Sequence, residues 1–467
     1  MRLKRILLEF ARAEKADDPY AFDFRAEEYL LRTEGGGFRR STLKWGDALL
    51  DDLHSVRVPG CDPAIVQRVG ERLRRFLQPA DFARHEQEIV RAVSEGEPVH
   101  VTIRSAAAEL YALPWELLTV GPGGQHLGEL AGVLLRYAWP ETRTTPEPGP
   151  GREGGRILFT WSDAGGWVPS SDHLGALRSV CREHHHPFDD QADVIPQVTL
   201  TRLEEALSAA ARADRPVSVL HVLCHGAAHG QTYGLAWNDD SGRTAVVDAG
   251  RLRQALAPHA GQLRMVVLCA CDSGNIGELG NQLGSVAQNL HTAGIQAVVA
   301  SRFPLSVRGS LRLTEALYGA LLGGPSSLEQ AFPRARRALA GEAGNLDWAS
   351  LQLYARPEDG DDTRPLIIRP YRGLLPFHQQ HARFFFGRDA ESGEVLADLR
   401  ALVEAGRPRL VVMAGASGTG KSSIVMAGVI PKLIGQQGKD AGGELDLERV
   451  LRTLERWQAH AQADEIK

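Results

Sequence analysis

The sequence predicts an α/β protein built on a doubly wound, mostly parallel sheet with flanking helices, followed by part of a P-loop nucleotide-binding segment. Three observations carry this. Apolar runs at 217–223, 265–270 and 296–300 lack polar alternation, as strands covered on both faces do. Helical patterns separate these runs, and that β/α order implies right-handed crossovers. Further on, Gly415-Ala416-Ser417-Gly418-Thr419-Gly420-Lys421-Ser422 fits the phosphate-loop pattern G-x-x-x-x-G-K-[ST].

With 467 residues the chain has room for two or three domains, each with its own core. Hydrophobic residues at 43% and charged residues at 24% are ordinary for a soluble globular protein. A net charge of −5 argues against a dedicated nucleic-acid binder. No apolar stretch approaches the roughly 20 residues a membrane span needs. The basic-then-apolar start reads as a first strand, because Glu9 interrupts the apolar part and no small-residue cleavage site follows. Five cysteines without framework spacing fit a reducing, cytoplasmic setting, which keeps thiols free.

The elements fall into blocks. Residues 1–150 mix short strands and helices. Residues 99–103 alternate as a half-buried strand, and 61–95 form two helices broken near Pro79. A Pro/Gly-rich stretch at 144–151 closes the block. Residues 156–355 alternate strand and helix: strand 156–161, helix 171–185, strand 194–200, helix 201–213 with Thr201 as N-cap and Glu204 closing a capping box, and strand 217–223. A hairpin-like stretch over 230–247, a helix from Asp248, strand 265–270, helix 282–293, strand 296–300 and helices 309–322 and 326–340 follow. Residues 356–369 read as a linker, solvated and acidic at 358–362, and 370–467 form the last block.

Two strands each deliver one reactive side chain at the carboxyl end, where open α/β sheets assemble their sites. Residues 217–223 lead to Cys224-His225-Gly226, and 265–270 lead to Cys271-Asp272-Ser273-Gly274. A thiol, a base in reach and oxyanion donors make a cysteine hydrolase. His225 is the candidate base, Cys271 the nucleophile, and the backbone N–H groups of Gly226 and Cys271 the oxyanion donors. Core packing is the plain alternative for any cysteine. Cys269 and Cys224 fit that alternative, whereas strand-end placement sets Cys271 and His225 apart. A zinc reading of Cys269, Cys271 and His225 lacks a second pair at ligand spacing. The run His184-His185-His186 reads as a solvated helix tip. Asp239, Asp240 and Asp272 read as turn formers.

These motifs resemble the CHAT family, bacterial caspase-like domains related to caspases and separase. The resemblance lies in the histidine motif at 220–226, the cysteine motif at 266–274, Gln296-Ala297-Val298-Val299-Ala300-Ser301-Arg302-Phe303-Pro304-Leu305, and Leu113-Pro114-Trp115-Glu116-Leu117-Leu118. It covers about residues 1–355. It implies a caspase-like fold, a His225/Cys271 dyad needing no cofactor, and proteolysis of a protein partner under control of attached domains. It also implies a charged pocket for the side chain before the cleaved bond, to which Asp239, Asp240 or Asp272 would bring a carboxylate selecting Arg or Lys, the alternative to their reading as turn formers.

In the last block, the glycines let backbone N–H groups curl around phosphates. Gly415, Gly418, Gly420, Lys421, Ser422 and Ser423 are the candidate nucleotide-binding residues, with Ser422 as the Mg²⁺ ligand when ATP is bound. The apolar run 410–414 precedes the loop and a helix-like stretch, 423–427, follows. The segments 370–377 and 384–388 resemble the entry to a STAND-type signalling NTPase, which implies a base pocket at Phe386-Gly387-Arg388; a hydrophobic strap is the plain alternative. After Lys421 no apolar strand ends in Asp or Glu, and the tail carries Leu447, Val450, Leu451 and Leu454 on one helical face. A truncated NTPase segment with weak or no ATP hydrolysis is therefore expected, poorly ordered beyond about residue 435. Together these readings give a caspase-like cysteine endopeptidase, the effector of a nucleotide-regulated bacterial signalling or defence protein. The alternative is a non-catalytic caspase-like scaffold switched by nucleotide. A regulatory protein or further C-terminal region is an expected partner; nucleic acid and membrane are not.

Overall fold

The structure is a computed structural model. It describes residues 3–13, 26–32, 37–140, 142–143, 155–229, 232–270, 285–324, 326–341, 345–367, 371, 373, 375–408 and 410–437. The chain divides into two compact units, residues 1–182 with 187–368, and residues 183–186 with 369–467.

The strands of the first unit are β1 (Lys4–Arg12), β2 (Ala26–Arg32), β3 (Phe38–Lys44), β4 (Val99–Ser105), β5 (Thr119–Val120), β6 (Gln125–His126), β7 (Val133–Ala138), β8 (Arg156–Trp161), β9 (Val194–Ile195), β10 (Val217–His229), β11 (Thr232–Asn238), β12 (Thr244–Asp248), β13 (Met265–Ala270), β14 (Ala297–Ser301) and β15 (Leu351–Ala355). All but the β5–β6 ribbon join one sheet. Its parallel strands form two sets. In one, β9, β8, β10, β13 and β14 run side by side. In the other, β15, β7, β4 and β1 do so. The sets meet where β15 lies antiparallel to β14. This is the expected α/β architecture, a mostly parallel sheet with helices flanking it.

The apolar runs become strands because neighbours cover both faces. Val266, Val298, Leu220 and Val101 are all fully buried. Helix ends follow local chemistry. Asp62 caps the helix Pro63–Leu77 by accepting from the Ala64 N–H, with Pro63 at the first position. Asp248 caps Ala249–Leu256 through the Arg251 N–H.

Several expectations change. The helix Leu200–Arg212 is capped by Thr199, which accepts from the Arg202 N–H, so Thr201 lies inside the helix and no Glu204 capping box forms. The strand expected over 194–200 shrinks to Val194–Ile195 because the helix has begun by Leu200. Strand β4 is buried on both faces despite its alternation. Its polar residues are paired inside: His100 Nδ1 meets Asp361 at 2.8 Å, and the Thr102 hydroxyl accepts from Arg136 Nε at 3.0 Å.

The acidic stretch 358–362 is a clasp, not a solvated linker. Asp361 accepts from Arg5, His100 and Arg136, and Glu358 from Arg104. Burial alone would raise the Asp361 pKa, but the bonds from His100 and Arg5 and the Arg136 charge hold it below its usual value.

Candidate active site

Strand β10 changes partners midway. Up to Leu223 it lies between β8 and β13, and the last parallel register pair with β13 is Cys224 with Ala270. From His225 to His229 it pairs antiparallel with β11, His225 opposite Ala236 and Gly226 opposite Leu235. The strand therefore does not stop at His225, as the sequence suggests. It is prolonged through Gly226, Ala227 and Ala228 by a new neighbour, and among the described residues β11 is its one partner strand there. Cys224 and Ala270 being level, the next residue on the two chains is His225 on one and Cys271 on the other. Cys271, Asp272, Ser273 and Gly274 lie outside the described residues.

His225 is half-buried, and its Nε2 lies 3.0 Å from the carbonyl oxygen of Trp167. A carbonyl only accepts, so Nε2 carries the proton and Nδ1 keeps its lone pair. That backbone bond fixes the tautomer a base needs. The Gly165-Gly166-Trp167 loop reaches the ring because it lacks side chains where it passes: a Cβ on Gly165 would stand 2.8 Å from the His225 Cβ and 3.0 Å from that of Ala236. Trp167 itself is 70% exposed. Sequence reasoning missed this loop, although a Gly-Gly-Trp following strand 156–161 is an available signal.

The described candidate carboxylates, Asp239 and Asp240, have partners of their own. Asp239 accepts from the Ser241 hydroxyl at 2.6 Å and from the Ser241 and Arg243 N–H groups, each at 2.9 Å. The Ser241 hydroxyl first and those N–H groups next draw its pKa down to about 2. Asp240 accepts from the Thr201 hydroxyl at 2.8 Å. Both act in the turn between β11 and β12, as turn formers do.

Cys224 and Cys269 are buried, in line with packing roles. Cys269 has company that the sequence did not reveal. A ring nitrogen of His173, one of His221 and the Cys269 sulfur all lie within 4.8 Å of one another. His173 comes from a helix some fifty residues upstream, so no local spacing announces the group.

Glu116 of Leu-Pro-Trp-Glu and Arg302 of Ser-Arg-Phe-Pro are also explained. Arg302 donates to Glu116 at 2.6 Å and to the Tyr137 hydroxyl at 2.8 Å, and Tyr137 donates to Glu116 at 2.9 Å. Arg336 adds a second guanidinium 3.5 Å from Glu116. All are buried. Burial opposes the Arg302 charge, yet Glu116 holds its pKa above the ordinary value. The two motifs thus lock β14 to the other parallel set.

In the second unit, Lys421 Nζ donates to the carbonyls of Gly415 and Ala416, both at 2.7 Å, and Gly420 takes φ 85° just before the helix Lys421–Ser423. Ser422 is exposed, while buried Ser423 accepts at 3.1 Å from the Phe377 N–H. Gly415, Gly418 and Gly420 therefore shape a loop closed on its own lysine. Residues 410–414 form no strand, and Leu410 and Val412 are exposed: no neighbouring strand covers them among the described residues. Phe386 is exposed, Arg388 pairs with Glu391, and Phe385 packs against Phe377. The tail with Leu447, Val450, Leu451 and Leu454 lies outside the described residues.

Comparison with known proteins then decides the family. The CHAT domain model matches residues 67–356. The chain belongs to the CHAT family. Residues 370–463 of this CHAT chain match the Novel STAND NTPase 1 model. No curated protein matches it in sequence. Among solved structures, the pro- and mature domains of Porphyromonas gingivalis RgpB align at 12% identity and TM-score 0.39, covering 69% of this chain and 76% of that one. The Saccharomyces cerevisiae separase–securin complex aligns at 11% identity and TM-score 0.32, covering 68% of this chain and 20% of that one. A secreted C11 cysteine protease from Bacteroides thetaiotaomicron gives 11%, 0.26, 40% and 58%.

Proposed function

We propose that this CHAT chain is a caspase-like cysteine endopeptidase acting through His225 and Cys271. The register of β10 against β13 carries the reading: Cys224 is level with Ala270, and His225 and Cys271 come next. The Trp167 carbonyl supports it, because it leaves His225 Nδ1 as the basic atom. Nδ1 accepts the Cys271 thiol proton as the sulfur attacks the scissile carbonyl carbon. The N–H groups of Gly226 and Cys271 receive the oxyanion. Collapse breaks the C–N bond, and Nδ1–H passes its proton to the leaving amine. Water, deprotonated by Nδ1, then attacks the thioester, releasing the acid and restoring the thiol.

The P-loop is the proposed input of a nucleotide-controlled effector, as the STAND match suggests. Its residues fit a triphosphate: Lys421 would leave the Gly415 and Ala416 carbonyls for phosphate oxygens, and exposed Ser422 would hold Mg²⁺. Bound nucleotide supplies phosphate charge that the loop N–H groups cradle.

The test is proteolysis of a peptide library and of co-expressed bacterial proteins by wild type, His225→Ala and Cys271→Ala, with and without ATP. Loss of about a thousand-fold or more is expected in either variant. Cleavage retained by Cys271→Ala would remove the assignment. If wild type cleaves nothing and an electrophilic thiol probe fails to label Cys271 in a His225-dependent way, the molecule is a scaffold.

A further inference from the structure

The His173, His221 and Cys269 group lies beneath the proposed dyad and uses none of its atoms. His221 is four residues before His225 on β10, and Cys269 two before Cys271. His173 comes from the helix Ser170–Glu183. All three side chains are almost wholly buried, at 0%, 0% and 5% exposure.

The proton inventory around them is unusual. The helix Val307–Leu322 presents Ser310, Thr314 and Tyr318 at intervals of four, on one face. Ser310 Oγ meets His173 Nε2 at 3.1 Å and donates its proton to the Val307 carbonyl. Thr314 Oγ1 meets His173 Nδ1 at 3.1 Å and donates to the Ser310 carbonyl. If both hydroxyls keep those bonds, His173 would have to donate from both nitrogens. A neutral imidazole carries one N–H and keeps one lone pair, so one of those two nitrogens faces a hydroxyl whose proton is already given elsewhere. His221 Nδ1 lies 3.1 Å from the Tyr318 hydroxyl, while its buried Nε2 has no hydrogen-bond partner among the described residues. His221 thus has a hydroxyl orienting one nitrogen and leaves the other for a ligand, the arrangement by which proteins orient metal-binding histidines, and His173, with a hydroxyl at each nitrogen, would exchange one of them for the metal.

We propose that His173, His221 and Cys269 bind a Zn²⁺ ion that staples β10, β13 and the helix Ser170–Glu183 under the active site. Two imidazoles and a thiolate suit zinc and exclude magnesium and calcium, which take oxygen. Tetrahedral Zn–N and Zn–S bonds place donors about 3.3–3.8 Å apart. The present 4.8 Å limit therefore asks for a closure of at most about 1.5 Å. Binding breaks the Cys269 S–H bond and releases that proton to solvent, leaving a thiolate on the metal.

The full chain, stripped with chelator, is titrated with Co²⁺ as a spectroscopic probe and with Zn²⁺. The expected result is one metal retained per chain, a near-ultraviolet thiolate-to-cobalt band, and a higher melting temperature with Zn²⁺. Cys269→Ala should lose the band and the melting shift, whereas Cys271→Ala should keep both. Circular dichroism checks that Cys269→Ala is folded, and if it is not, loss of both signals in His173→Gln decides. A band that survives Cys269→Ala, a band lost only in Cys271→Ala, or no retained metal would each overturn the proposal. None of these outcomes depends on proteolysis.

Discussion

Two apolar runs of similar composition meet opposite fates in this molecule. Residues 265–270 form β13, hydrogen-bonded between β10 and β14, with Val266 fully buried. Residues 410–414 form no strand, and Val412 is 80% exposed. Both are followed in sequence by glycine and reactive residues. The difference is the supply of neighbours, since a strand's hydrogen bonds and both its faces must be satisfied by other segments. A run of valines specifies the capacity for a strand, and only the surrounding sheet realises it.

The sharpest way to break this comparison is one charge placed in each run. Val266→Asp buries a carboxylate without a partner and should cost more than about 4 kcal/mol, seen as loss of the cooperative melt. A tolerated Val266→Asp would mean that β13 is not enclosed. Next in size, Glu116→Gln strips the buried Arg302 and Arg336 of their counter-charge and should cost about 3–5 kcal/mol in urea unfolding. An unchanged midpoint would show that the two parallel sets are not joined by this ion group. Gly165→Ala pushes a methyl into His225 and should lower proteolysis about 10–100-fold while leaving the circular dichroism spectrum intact. Equal activity would separate the Gly165-Gly166-Trp167 loop from the base.

The clasp at Asp361 predicts a pH signature. Its folded pKa is depressed, so its contribution is present above the ordinary aspartate range and disappears as pH falls through the folded value. Urea midpoints of wild type and Asp361→Asn should differ at neutral pH and converge in acid; a constant gap would deny the clasp its ionic part. The smallest effect belongs to Val412→Asp, which should move the melt by no more than about 0.5 kcal/mol. A large loss there would mean that the run has a covering partner after all.

The parallel strands were legible because burial on both faces leaves an unbroken apolar run in the sequence. So were the break near Pro79, the start of a helix at Asp248 and the hairpin β11–β12, each written in local chemistry. His225 was legible as a candidate base, but its orienting carbonyl was not, because Trp167 is distant in sequence and acts through its backbone. His100 and Thr102 read as solvent-facing, since the residues that satisfy them, Asp361 and Arg136, come from other elements. The His173–His221–Cys269 group was invisible for the same reason. It is assembled by helix packing across the sheet, which no periodicity records.

The clasp also has a mechanical meaning. Tension entering the chain beyond residue 367 meets buried Leu366 first, then Arg364, whose carbonyl accepts at 3.3 Å from Arg264 just before β13, and only then Asp361 and Glu358. Arg5, His100 and Arg104, Arg136 divide that load among β1, β4 and β7, three strands held side by side. Traction on the chain would therefore bear on both parallel sets, on β13 through Arg264 and on β1, β4 and β7 through the clasp.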